Sequence, residues 1–282
     1  MNFDNPSDPA SGVPLGVARV FTEASGYYRN LRWEKNRLTR FERDLTARTL
    51  EEELGADGRG AALELGCGPG TWTGMLTARA TSVLAVDISS GMLEEARSSS
   101  ASVGQVEFRQ GDISGFDPGS RTFDLILSVR VLEYVPAWRN VVGSFGRWLN
   151  PGGRAVVITK TPFSVWRGTG RTRWFGPRTL ANRLSRRQAN PDFWQRYIPV
   201  RGMVGAFKEA GLTDIVVRPV IFGLPIFMRG TKQYPIVPPF AEGPVIRASG
   251  AAWNWVSRRP QPERMLFLPL AESYAVSGRR NG

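Results

Sequence analysis

The run Leu63-Glu64-Leu65-Gly66-Cys67-Gly68-Pro69-Gly70 constrains this chain more than any other feature. An apolar stretch ends in glycines at alternate positions, and a helical stretch follows. Glycine lets the backbone turn sharply and lets a ligand lie against bare main chain. A helix beginning there presents free N–H groups and a partial positive charge to an anionic group. Such a turn belongs at the carboxyl end of a buried strand, and the sequence around it alternates accordingly. Strands are expected at Ala61–Leu65, Ser82–Val86, Val106–Phe108, Phe123–Leu127 and Arg154–Thr159. Between them helices are expected from the glycine loop to Ala80, at Ser89–Ser100 with Ser89 as cap, and at Ala137–Leu149. A helix at Val200–Ala210 closed by Gly211, a strand at Leu212–Arg218 and a last strand at Glu272–Gly278 complete the pattern. Strand and helix alternating on short connections predict a parallel sheet with helices on both faces.

The flanks divide the chain further. Residues 1–26 are expected to be a loose arm rich in Pro, Gly, Ser and Asp near its start. Residues 27–160 carry the core, and Leu38, Phe41, Leu45 and Leu54 predict helix up to Gly55. Residues 161–199 interrupt the rhythm as a basic, aromatic insertion. Residues 200–282 return to the sheet, with an apolar, Pro-rich insertion at 219–271 that holds a helix near Ile246–Val256.

Composition excludes several chemistries. The chain has no histidine, the commonest general base and metal ligand, and a single cysteine, Cys67. No internal disulfide, cysteine-based zinc site or other metal site is expected. Cys67 reads as a small packing residue rather than a nucleophile. The longest apolar candidate, Pro219–Met228, has ten residues against the roughly 20 that cross a bilayer. The polar N-terminus does not resemble a secretory signal, so a cytoplasmic location is expected. The net charge of +12 is uneven: residues 161–219 hold 11 Lys and Arg against 3 acids, and residues 220–282 hold 8 against 3.

Two further acids stand where a nucleoside ligand needs acceptors. Asp87 ends Val83-Leu84-Ala85-Val86, where a carboxylate can accept both ribose hydroxyls, a feature shared with dinucleotide enzymes. Asp112 follows the third strand in Gln110-Gly111-Asp112-Ile113, where a carboxylate can accept from the exocyclic amine of adenine. The dinucleotide fingerprint G-x-G-x-x-G fails, because Thr71 stands where Gly or Ala is needed. With Phe123–Tyr134 (FDLILSVRVLEY) and Leu149–Gly153 (LNPGG) these segments follow in an order and spacing that resemble the class I S-adenosylmethionine-dependent methyltransferases, especially the small-molecule branch of ubiquinone and menaquinone biosynthesis.

The resemblance implies an α/β, Rossmann-like, doubly wound sheet of seven mostly parallel strands, with an antiparallel last strand and lid insertions. It implies S-adenosylmethionine as cofactor and a series of roles. Gly66, Gly68 and Gly70, with Cys67 between them, would line the methionine moiety. Glu64 and the backbone near Ser128 would surround its amino group. Asp87 would hold the ribose, Ile88 and Met92 would sandwich adenine, and Asp112 with the N–H of Ile113 would read its edge. Tyr27, Tyr28 and Trp33 match the aromatic segment that caps the cofactor. Relatives often have histidine where Tyr134 stands, which puts a catalytic role at that position in doubt.

The acceptor is less legible. Candidate bases near the sheet's carboxyl edge are Glu133, Tyr134, Tyr27 and Tyr28, each also explicable as packing or a cofactor contact. From Lys160 to Arg201 one Lys and nine Arg face one acid, interleaved with Trp166, Trp174, Phe175, Phe193, Trp194 and Tyr197. A solvated lid, a cleft for an anionic small molecule and a surface for anionic lipid all fit this stretch. Pro219–Met228 could pack in the core, wall a hydrophobic substrate or touch a membrane. Nucleic acid is disfavoured, since Ser128-Val129-Arg130-Val131 lacks the Asn/Asp-Pro-Pro-aromatic signature of base-amine methyltransferases. The expected function is methyl transfer to a small, anionic or amphiphilic acceptor. Macromolecule methylation and non-catalytic cofactor binding at a membrane remain as alternatives.

Overall fold

The computed structural model describes residues 15–55, 60–99, 105–161, 195, 197–222, 226–229, 232–235 and 239–282. Its centre is a seven-stranded sheet built from β1 (Ala61–Leu65), β2 (Ser82–Asp87), β3 (Val106–Gln110), β4 (Phe123–Val129), β5 (Leu149–Lys160), β6 (Leu212–Phe222) and β9 (Ala271–Arg280). The spatial order is β3-β2-β1-β4-β5-β9-β6. Strands β1 to β5 pair in parallel, and β9 runs antiparallel between β5 and β6. The last strand can slot in antiparallel because both its edges are paired, which leaves β6 and β3 as the sheet's edges.

Successive residues of the central strands face opposite layers, as the period of two demands. Leu63, Leu65, Leu84, Val86 and Ile126 pack with Trp138, Phe145, Met203 and Phe207 from α5 (Trp138–Gly143), α6 (Phe145–Trp148) and α7 (Val200–Glu209). Ala62, Val83, Ala85, Leu125 and Leu127 face the other side, against Leu38, Leu50 and Leu54 of α2 (Arg37–Leu54), Leu76 of α3 (Thr73–Thr77) and Leu93 of α4 (Ser90–Ser99). Helix α2 starts at a capping box in which Asn36 Oδ1 accepts from the Thr39 N–H and Thr39 Oγ1 accepts from the Asn36 N–H.

Three expectations change. Residues 15–26, read as part of a loose arm, belong to helix α1 (Leu15–Arg29), which lies against α4. The contact is close: Thr22 Oγ1 and Ser89 Oγ share a hydrogen bond of 2.9 Å, and a Cβ on Gly91 would meet Ser25 Oγ at 2.6 Å. A short π-helical turn (Asn30–Glu34) then separates α1 from α2 and buries Arg32 and Trp33. Second, the start of the apolar Pro219–Met228 run is sheet core, with Val220 and Ile221 fully buried in β6. Beyond it, β7 (Ile226–Arg229) and β8 (Lys232–Pro235) pair as a separate antiparallel ribbon. Third, the helix expected near Ile246–Val256 is longer, α8 (Pro239–Ser257), and is followed by the short α9 (Gln261–Met265). The basic stretch from Arg167 to Trp194, with Trp166, Trp174, Phe175 and Phe193, lies outside the described residues. No helix among the described residues is long and apolar enough to cross a membrane.

Candidate active site

The chain leaves β1 toward β2 and β3, then returns to build β4 on the other side. This reversal opens a crevice at the carboxyl ends of β1 and β4, the usual ligand position in a doubly wound sheet. The glycine loop forms its floor. Gly66, Gly68 and Gly70 all have positive φ, of 74°, 53° and 76°. The loop is fastened to β2: the N–H groups of Gly66 and Cys67 both donate to Val86 O, at 2.7 and 3.1 Å. A Cβ on Gly66 would meet Val131 Cγ2 at 2.3 Å, whereas one on Gly68 would meet nothing within 4 Å. Gly66 therefore serves close packing, and Gly68 leaves bare backbone facing open space.

Asp87 holds this arrangement from the tip of β2. Its Oδ2 accepts from the Gly68 N–H at 2.7 Å and its Oδ1 from the Ser89 N–H at 2.9 Å. Burial pushes its carboxyl above the usual range, opposed by these backbone hydrogen bonds. Ser89 Oγ in turn accepts from the Met92 N–H at 3.2 Å, which is the expected cap of α4.

Above the loop lies a cleft of about 770 Å³, open mouth included. Tyr28, Gly66, Cys67, Gly68, Asp87, Ile88, Met92, Ile113 and Tyr134 line it together. Phe21 and Val17 of α1 roof it, and the Phe21 ring stands edge-on to both Tyr28 and Tyr134, at 5.8 and 5.3 Å. Trp33 and Trp72 close one side at 5.3 Å. The helix that composition hid is thus the wall of the site.

Other residues singled out from the sequence sit elsewhere. Tyr27 is 46% exposed and is not among the residues that line the cleft. Gly70 faces Ala96 of α4. Ser128 Oγ donates to Leu65 O at 3.1 Å behind the loop. Asp112 Oδ1 accepts from the Ser114 N–H at 2.8 Å in a turn at the rim. Glu133 is fully buried behind Tyr134, where Oε2 accepts from Thr159 Oγ1 at 2.8 Å and Oε1 lies 3.9 Å from Lys160 Nζ.

Glu64 is buried under the loop, where Oε2 accepts from Thr73 Oγ1 at 2.6 Å. Burial raises its pKa from 4.5 to about 8, with the Thr73 hydrogen bond opposing and the Asp87 charge adding. The folded state therefore binds this proton more tightly than the unfolded chain. Stability from this group should fall as pH rises between about 4.5 and 8, then level off. Glu64→Gln keeps the acceptor for Thr73 and should flatten that slope. Urea midpoints from pH 5 to 8.5 check this, and parallel profiles for both proteins would contradict it.

One group of residues has no local signal in the sequence. Arg130 follows β4 with a positive φ of 61°, its N–H donating to Ile158 O at 2.7 Å. Its Nη2 donates to Glu42 Oε1 at 2.9 Å and to Ser273 Oγ at 3.2 Å. Arg32 grips the same buried carboxylate, with Nη1 2.9 Å from Oε2. Arg130 also lines the cleft. The neighbouring acids of the site hold their protons: burial pushes Tyr134 and Cys67 well above their usual ranges and raises Tyr28.

Residues 62–153 match the methyltransferase-domain family. A trans-aconitate 2-methyltransferase from Azoarcus sp. is 33% identical over 129 residues, 44% of this chain and 49% of the relative. A malonyl-[acyl-carrier protein] O-methyltransferase from Halalkalibacterium halodurans is 32% identical over 111 residues, 36% of this chain and 40% of the relative. The chain thus spans about half the length, or less, of these curated relatives. The crystal structure of an S-adenosylmethionine-dependent methyltransferase from Mesorhizobium loti shares the fold, with a TM-score of 0.56 and 21% identity over 84% of this chain and 98% of that one. Residues 62–153 thus match a methyltransferase domain, and the sheet around them shares the fold of a solved S-adenosylmethionine-dependent methyltransferase.

Proposed function

We propose that this protein transfers the methyl group of S-adenosylmethionine to a small, anionic acceptor. The observation that carries the reading is the crevice at the strand-order reversal, with open glycine backbone on its floor and Asp87 on its wall. These residues suit the cofactor: Gly68 leaves room for a ligand against the main chain, and the Asp87 carboxylate keeps acceptor capacity beyond its backbone bonds. Gly66 and Gly68 would face the methionine part, Asp87 the ribose hydroxyls, and Ile88 and Met92 the adenine faces. Asp112 and the Ile113 N–H would meet the adenine edge. Glu64, Gly70 and Ser128 would act by shaping the loop from behind.

S-adenosylmethionine, when bound, supplies a methyl group already activated on a sulfonium. The protein's share is then positioning and exclusion of water, which alone can be worth roughly 7–11 kcal/mol. Phe21, Tyr28, Trp33 and Tyr134 provide the dry wall. Isothermal titration calorimetry should show binding of S-adenosylmethionine and S-adenosylhomocysteine and none of NADH. Binding of NADH alone would sink the reading, and labelled methyl recovered only in polymer would move the acceptor to a macromolecule.

Peripheral contact with an anionic membrane is the second reading, supported by the outer face of α8. Phe240 and Trp255, 84% and 51% exposed, share that face with the exposed Arg247 and Arg258. Leu266 and Leu270 are exposed just beyond it. The only acid from 239 to 259 is Glu242, which is buried. An apolar face rimmed by arginine and carrying tryptophan suits an anionic lipid surface. Phe240→Ser with Trp255→Ser should weaken binding to phosphatidylglycerol vesicles at least about tenfold and spare cofactor affinity. Vesicle sedimentation unaffected by the double substitution would reject this contact.

A further inference from the structure

We propose that the acceptor's nucleophile is a carboxylate oxygen, that Arg130 pairs with that carboxylate, and that the product is a methyl ester. This deepens the methyl-transfer reading and rests on it. Among the described residues, only two charged side chains line the cleft, Asp87 and Arg130. They stand on opposite sides. Asp87 ends β2, and Arg130 follows β4, with β1 between them, so the two strands are about 10 Å apart. Arg130 reaches still farther from β2, to Ser273 on β9. The glycine loop and Asp87 serve the nucleoside side, which leaves Arg130 on the side where the acceptor enters.

The charge there is built in rather than incidental. Arg130 is held in a backbone conformation that favours glycine, pinned by its N–H bond to Ile158 O. Conformations of this kind persist at functional positions when the surroundings over-determine them. Glu42 supplies one carboxylate to two guanidiniums, those of Arg32 and Arg130.

The proton inventory leads to the same class. Histidine is absent, and the Tyr28, Tyr134 and Cys67 side chains all keep their protons more tightly than usual. Glu133, the remaining candidate base, is enclosed by Thr159 and Lys160. A phenol, alcohol or ammonium has to give up a proton in the reaction, and among the described residues that line the cleft the one carboxylate that could take it, Asp87, stands on the nucleoside side. A carboxylate is already ionised at neutral pH. Its oxygen lone pair forms the O–CH3 bond while the S–CH3 bond breaks and the bonding pair stays on sulfur. A sulfonium and a carboxylate become a neutral thioether and a neutral ester, and no proton moves.

The test uses the full chain, S-adenosylmethionine labelled in the methyl group and a deproteinised small-molecule extract. Methyl esters release their label as volatile methanol in alkali, whereas methyl ethers and methylamines do not. Most transferred label should become volatile, and alkali-stable label in the small-molecule fraction would overturn the proposal. With the labelled acid as acceptor, Arg130→Met should raise the acceptor KM at least about tenfold. Calorimetry should find its S-adenosylhomocysteine affinity within about twofold of wild type, and Arg130→Lys should recover part of the KM. If Arg130→Met instead weakens S-adenosylhomocysteine and leaves the acceptor KM unchanged, the arginine belongs to the cofactor and the assignment fails. Failure of the parent reading looks different: no S-adenosylmethionine binding by calorimetry and no label in any fraction.

Discussion

Gly66→Ala should weaken S-adenosylmethionine binding at least about 100-fold and lower thermal stability. Two costs fall on one residue. Its φ of 74° is a left-handed conformation that costs an L-residue about 1–2 kcal/mol. The new methyl group would also sit 2.3 Å from Val131 Cγ2, and forced overpacking of this kind costs about 1–3 kcal/mol. The loop cannot relax by sliding, because the Gly66 and Cys67 N–H groups are both fastened to Val86 O. Relief must come from Val131, which lines the cleft, so the strain is delivered to the site itself. We expect affinity to fall at least about 100-fold by calorimetry, with a lower melting temperature. Gly68→Ala provides the control. Its Cβ meets no neighbour, so stability should change less, while the methyl group enters the space left for the ligand. Wild-type binding by Gly66→Ala would mean that the loop does not form the cleft floor.

Asp87→Ala should weaken S-adenosylmethionine binding roughly 10- to 150-fold. Hydrogen bonds to a charged group are worth roughly 1.5–3 kcal/mol net, and each 1.4 kcal/mol is about a factor of ten. From the strand tip alone, the fold would be expected to survive unchanged. The structure modifies this, because the same carboxylate ties down the Gly68 and Ser89 N–H groups. Leaving them unpaired should cost about 1–3 kcal/mol of stability as well, read as a lower urea midpoint. Asp112→Ala should do less on both counts, since its Oδ1 serves a turn at the rim and the residue is outside the cleft lining. A folded Asp87→Ala protein with wild-type affinity would reduce this aspartate to a cap of α4.

Much of the sheet was legible because its signals are local. Strand β1 sits at the centre, buried on both faces, so Ala61–Leu65 had to be uniformly apolar apart from Glu64. The turn after it needs three left-handed residues, so it had to be glycine at 66, 68 and 70. Asp87 was legible as the acid at the tip of β2, because the apolar strand that it ends is adjacent to it in the chain. Helix α1 was not legible, because its apolar residues are spaced around a cleft that only the folded sheet creates. Val17 and Phe21 mean little until α4 and Tyr134 stand opposite them. The inner face of α2 misleads for the same reason. It buries Glu42 and Glu53, which only become tolerable once Arg32 of the preceding turn, and Arg130, Arg218 and Ser277 from distant segments, reach them.

The sequence by itself determined the alternation of strands and helices, the glycine loop and the acid at the tip of β2, because each depends on residues adjacent in the chain. Only the tertiary structure decided what covers the cleft and what charge its far side carries. Arg130 meets Glu42 across 88 positions and Ser273 across 143. A buried ion pair leaves no periodicity or spacing to read, since each partner is acceptable only in the presence of the other.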